Sequence, residues 1–145
     1  MGLTYADLKL ENLFNKRSLQ ISARVDSGSV FLTLPEHMAT QLGFDTTEVG
    51  TREVVLAHAD KRAHRAVVPM IGPLRVWFSE RYCDLSALVL GDEPLLGAVP
   101  MEMMDLVISP ATQNLSVNPA SPYIPVALAK QAGGPNTKKL VEKKR

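Results

Sequence analysis

The residues of this chain whose types and spacing can do chemistry are Asp26-Ser27-Gly28, with a further hydroxyl at Ser29. A carboxylate can take a proton from water or hand one to a reacting group. A glycine two residues on lets the backbone turn tightly and come close to it, and the flanking hydroxyls can donate to nearby acceptors, the carboxylate among them. The same residue types are also ordinary turn formers, so the elements around them decide. Leu19, Ile21, Ala23 and Val25 alternate with Ser18, Gln20, Ser22 and Arg24, which predicts a half-buried strand delivering Asp26 at its inner end. Much further along, Leu95-Leu96-Gly97 places an apolar pair and a glycine ahead of a short helical stretch.

Taken together, Asp26-Ser27-Gly28 and Leu95-Leu96-Gly97 resemble the aspartic peptidases, in which an Asp-Thr/Ser-Gly loop is followed later in the lobe by two apolar residues and a glycine. With one such loop and one lobe's worth of chain, the sequence is similar to the retropepsins, single-lobe enzymes that dimerise to assemble a site. The run from Leu95 through Ala98, Val99, Pro100 and Met101 to Leu106 resembles bacterial members of that family, and the resemblance covers residues 5–119. It implies an all-β fold, a single-lobe acid-protease closed β-barrel with one or two short helices. It also implies an aspartic endopeptidase active as a homodimer on a peptide or protein substrate, with no metal and no cofactor.

In that arrangement Asp26 of each chain faces its twin, and two adjacent carboxylates share one proton because both cannot ionise cheaply. The ionised one activates water while the protonated one hydrogen-bonds the peptide carbonyl. By the same resemblance, Ser27 reaches across the twofold axis, Gly28 brings its amide against the carboxylates, and Leu95, Leu96 and Gly97 brace the loops from beneath. Ser29 and the flap residues Ala59, Asp60 and Lys61 are the expected substrate contacts, together with Leu95, Leu96 and Gly97. Retroviral enzymes carry an arginine after that glycine. Ala98 stands there in this chain, so the dimer is expected to be weaker or differently tied.

Two other readings stay open. One is a catalytically silent retropepsin-fold dimerisation or peptide-binding module. The other is a serine hydrolase using Ser27 or Ser29, although neither sits in a Gly-x-Ser-x-Gly elbow. Phosphate-binding and dinucleotide glycine fingerprints are absent from the sequence.

The 145 residues are expected to form one domain over residues 1–119, followed by a Pro- and Gly-containing, Lys-rich mobile tail over 120–145. A net charge of +1 creates no field that would recruit nucleic acid, and no apolar run is long enough to span a bilayer, so neither partner is expected. Cys83 is the only cysteine and lies in an apolar run; with no secretory leader evident, a cytoplasmic protein is the expectation. His37, His58 and His64 are not spaced as metal ligands.

The remaining elements follow from periodicity. Leu8 and Leu10 begin a first strand that residues 12–17 turn back toward Asp26, and residues 30–34 make a brief strand. A small helix runs from Pro35 to a stop at Gly43, with Met38 and Leu42 inward. Residues 52–57 and 65–70 read as a hairpin with a polar tip, and by the resemblance Ala57 to Arg65 is the flap, where Lys61, Arg62 and Arg65 are expected to favour acidic substrate residues. Two further strands carry Leu74, Val76 and Phe78, then Cys83, Leu85, Ala87 and Val89. Residues 100–105 form a short helix with methionine as core filler, and a last strand pair holds Val107, Ile108, Leu115 and Val117.

Overall fold

A computed structural model of the chain describes residues 3–57 and 63–133. Apolar alternation becomes sheet from the start. Strands β1 (Thr4–Asn12) and β2 (Ser18–Val25) form an antiparallel hairpin in which Ala6 faces Ala23 and Leu8 faces Ile21, all four buried. Then follow β3 (Thr33–Leu34), helix α1 (Glu36–Gln41), β4 (Thr51–Ala57), β5 (Ala63–Phe78), β6 (Arg81–Val89) and β7 (Leu95–Leu96). Helix α2 (Ala98–Met104) leads into a separate hairpin of β8 (Leu106–Ser109) and β9 (Asn114–Val117). The described residues are thus mostly β-strand with two short helices.

Strand pairing runs from β1 through β2, β7, β3, β6 and β5, and β5 pairs again with β1, so these six strands make a ring with β4 attached outside it on β5. Inside the ring, Leu10, Leu32, Leu34, Leu74, Val76 and Leu96 are fully buried, and each aliphatic side chain removed from water contributes about 1.5–3 kcal/mol. Cys83 belongs to this core, and burial pushes its thiol up to about 12, so it is a packing residue with no thiolate character.

Several elements differ from the periodicity reading for identifiable reasons. Residues 65–70 and 74–78 read as two strands because Gly72-Pro73 interrupts them, yet β5 runs through as one strand, with a register shift against β6 between Ile71 and Leu74. The proline has no amide to lose from the ladder, and its carbonyl accepts from Leu13 N–H (3.2 Å). The strand expected over 30–34 contracts to Thr33–Leu34, because the carbonyls of Ser29 and Val30 are taken by the amides of Ala98 and Val99. Pro35 precedes α1 in extended conformation, and the fully buried residues of that helix region are Ala39 and Leu42, with Met38 only half-buried. Asn12, itself buried, donates to the carbonyl of Leu42 (2.9 Å) and so ties the first turn to the end of α1. Helix α2 begins two residues earlier than expected, at Ala98.

A polar latch closes the far end of α2. Asp105 caps the helix with φ +57°, and Arg81, only 6% exposed, donates to the carbonyls of Met104 and Asp105 (3.0 Å each) and to that of Ser121. The Asp105 carboxylate accepts from Asn118 Nδ2 (3.0 Å), the Ser121 hydroxyl and Val126 N–H (3.0 Å). The chain just past residue 119 is therefore tied to the domain through Val126, while residues 134–145 lie outside the described part. These bonds, Ser121 first, hold the Asp105 carboxyl below its ordinary value, helped by the Arg81 charge.

Replacing Arg81 by Met leaves buried carbonyls without a donor and is expected to lower unfolding free energy by about 3 kcal/mol in a urea titration at neutral pH. Because the Asp105 carboxyl is held down in the folded chain, its contribution is present above the ordinary carboxyl range and is lost as pH falls through the lower folded value. The stability difference between the native chain and Asp105→Asn should accordingly shrink in acid. A gap of constant size from neutral to strongly acidic pH would remove the latch from the account.

Candidate active site

Asp26 emerges one residue after the end of β2 and is exposed, with its position set by main-chain bonds. Its N–H donates to the Leu96 carbonyl (3.0 Å), which continues the parallel β2–β7 register of Arg24 with Leu95 and Val25 with Leu96. Its own carbonyl accepts from Ser29 N–H (3.1 Å), closing the turn. Its Oδ1 accepts from Gly28 N–H (2.9 Å), and a Cβ at Gly28 would stand 3.2 Å from that oxygen. The amide thus reaches the carboxylate because nothing on the Cα of residue 28 intervenes.

Gly97 is the other fixed point. A Cβ there would lie 2.6 Å from the Ser29 carbonyl oxygen and 2.8 Å from the Val30 carbonyl carbon, both main-chain atoms. The absence of a side chain lets Ala98 N–H reach Ser29 O (2.7 Å) and Val99 N–H reach Val30 O (3.0 Å). So the Asp26 loop is stitched to the start of α2 backbone to backbone.

Asp26, Gly28 and Ser29 line a cleft of about 520 Å³ with Val30, Phe31 and Thr33. Leu88, Leu90 and Leu95 complete one wall, and residues 52–56 of β4 form the other. The cleft is a mostly apolar groove with a carboxylate in it, which suits an extended peptide and offers a proton acceptor or donor at one point along it. A larger hollow of about 680 Å³ lies elsewhere, on the outer face of β1, β2 and β5 beside Lys9, Gln20 and Trp77, and holds no part of the Asp26 loop.

No protein-family model and no curated protein matches the chain. The retroviral protease-like domain of Ddi1 from Leishmania major superposes with a TM-score of 0.53 at 14% identity, covering 82% of this chain and 90% of that one. The fold is retropepsin-like. A retropepsin-like aspartic protease from Rickettsia conorii is 22% identical over 75% of this chain and 79% of its own, with a TM-score of 0.46.

Within this retropepsin-like frame the expected site residues divide. Asp26, Gly28, Ser29 and Leu95 meet at the cleft. Leu96 is fully buried and supports the loop through its carbonyl, and Gly97 lies behind the loop. Ser29 makes no side-chain hydrogen bond among the described residues, so the donor to Asp26 is the Gly28 amide. Ser27 turns to a separate small hollow of about 220 Å³ with Ala98, Met101, Glu102, Leu106 and Ile108. Ala59, Asp60, Lys61, Arg62 and His58 fall outside the described residues, although β4 and β5 pair up to Ala57 opposite Ala63 on either side of them. Arg65 pairs with Glu53 (3.4 Å) across the hairpin. His37 is exposed on α1, and no cluster of three or more potential metal ligands occurs among the described residues.

Arg52 and Phe31 line the cleft and were not singled out by sequence reasoning. Their signal was weak: an arginine at the start of a strand of alternating type reads as a solvated edge charge.

Gly97→Ala forces backbone apart at the loop, and we expect about 1–3 kcal/mol of destabilisation in a denaturant titration. Any activity that depends on Asp26 should fall by more than the loss of folded protein explains. Wild-type stability in that variant would show that the loop does not rest on Gly97.

Proposed function

We propose that the chain is an aspartic endopeptidase working as a homodimer, with Asp26 of each copy forming the catalytic pair. The observation that carries this reading is the Asp26 carboxylate, bonded by Gly28 N–H (2.9 Å) and opening into an apolar cleft on a retropepsin-like fold. A lone carboxylate cannot serve as base and acid in the same amide hydrolysis. A second Asp26 on a twofold axis supplies the missing acid.

The exposed position of Asp26 supports this, as does the apolar surface beside Ser27. There a hollow lies between Ala98, Met101 and Leu106, and a second copy would cover it. In the pair, one carboxylate takes a proton from water as the water oxygen attacks the scissile carbonyl carbon. The other, protonated, donates to the carbonyl oxygen and stabilises the tetrahedral intermediate; a proton then passes to the leaving nitrogen as the C–N bond breaks. The Gly28 amide holds the carboxylate plane for this exchange. Leu88, Leu90 and Leu95 keep water away from the apolar part of the substrate. A cytoplasmic site of action fits the single, buried Cys83.

Purified protein offered a peptide library should cleave it, with Asp26→Asn reducing kcat/KM by about a thousandfold or more. Specific activity should fall on dilution, as expected of a site shared between two chains. Equal cleavage by Asp26→Asn would defeat the proposal. Peptide binding without turnover in the native chain would instead favour a binding module.

A further inference from the structure

Arg52 stands in the cleft wall with no ion-pair partner among the described residues. It lies on β4, and its guanidinium carbon sits 5.0 Å from the centroid of the Phe31 ring. The same two residues also line a neighbouring apolar hollow of about 300 Å³ with Leu32, Met70, Leu85 and Val99, so they form the partition between that hollow and the cleft. The other charged residues of the cleft are engaged: Glu53 pairs with Arg65 at 3.4 Å, and Asp26 is bonded by the Gly28 amide. Among the described residues Arg52 has no ion pair and no side-chain hydrogen bond.

The guanidinium lies over the Phe31 ring, a contact that restrains the group. Its edge, a planar fork of N–H donors, remains available, and that fork matches a carboxylate in bidentate fashion. The neighbouring surface is apolar, from Val30, Val54, Leu56 and Leu88, so an ion pair formed there is screened less than one in open water. We propose that Arg52 is a specificity-determining residue, selecting peptides in which a glutamate or aspartate side chain lies against its guanidinium while adjacent apolar residues fill the cleft. The acidic residue belongs away from the scissile bond, where a further carboxylate would be repelled by the Asp26 pair. This rests on reading the cleft as the substrate site of a peptidase.

Recognition and turnover can be measured separately. Fluorescent peptides from an apolar library, in pairs that differ only by Glu against Gln at one position, are titrated against the Asp26→Asn protein and offered for cleavage to the native chain. The Glu member of the best pair should bind about tenfold more tightly, about what one charge-assisted hydrogen bond supplies. The preference should shrink in high salt, disappear when Arg52→Met is added and survive in part with Arg52→Lys. Met preserves the length and apolar stem of this exposed residue, and a thermal melt checks that the variant is folded. A peptide with Gln and a free C-terminal carboxylate separates side-chain from terminal recognition; tighter binding of that form than of the Glu form would overturn the assignment. So would equal binding of Glu and Gln peptides, or a preference that outlasts Arg52→Met. Glu-selective binding without cleavage by the native chain would sink the endopeptidase reading and leave Arg52 standing. Cleavage indifferent to Glu would do the reverse.

Discussion

Main-chain packing between the Asp26 loop and the start of α2 is the constraint on which the site depends. Ser29 and Val30 carbonyls meet the amides of Ala98 and Val99, and a Cβ on Gly97 would collide with the carbonyls it faces. This contact leaves no room for a side chain, so the loop cannot drift without breaking paired backbone groups, each costly to leave unsatisfied in a buried place. The carboxylate orientation follows from it: β7 fixes Asp26 N–H through the Leu96 carbonyl, and the turn returns the Gly28 amide to Oδ1. The loop is exposed yet held, which is how an unprotected acidic residue can be kept in one place without burial.

The anchor at the other end of α2 works by polar contacts. Arg81 and Asp105 bind the last helical carbonyls and the chain around Ser121 together, and the ion pair itself is loose, at 4.0 Å. What matters there is satisfaction of carbonyls and carboxylate oxygens by donors, since a buried arginine unable to find them would cost more than its charge pairing returns. Helix α2, barely two turns long, thus has its first turn set by Gly97 and its last by Arg81. Isolated helices of that length do not hold together in water, so tertiary contacts at both ends must supply the stability.

Much of this was legible in sequence because it depends on local period or on residues with no substitute. Alternation placed β1, β2 and β6 and their buried faces correctly, and Asp26 was found at the end of β2 as expected. What escaped was decided by partners distant in sequence. Gly72-Pro73 looks like a break to any local rule, yet Ser86 on the paired strand lies close enough that a Cβ at Gly72 would stand 2.6 Å from its hydroxyl, and β5 continues past the bulge. Val30 looked like strand but spends its carbonyl on α2. The tie from Asp105 to Ser121 and Val126 had no local signature at all, since a proline-spaced segment of polar and apolar residues reads as tail until its donors are seen to converge on one carboxylate. The Phe31–Arg52 contact was hidden for the same reason: neither residue has a periodic role, and the contact joins a loop to a strand beyond an intervening helix.

These two classes of contact bear on chemistry in different ways. Backbone pairing around Gly97 can hold Asp26 but cannot choose a substrate, because main-chain donors and acceptors are alike in every peptide. Selection has to come from side chains that line the cleft without supporting it, and Val54, Leu56, Leu88 and Leu90 discriminate only by size, a matter of about 1–3 kcal/mol per methylene group. A fixed charge discriminates more sharply, since a peptide lacking its counterpart must leave the fork unpaired or hydrated. Under the proposed reading Arg52 takes that role without belonging to the scaffold: it is exposed, on the strand outside the ring, and lies over the Phe31 ring. The residues that fix the carboxylate and the residue that can read the substrate are therefore separate in the fold, so specificity can change at β4 while the Asp26 loop stays as it is.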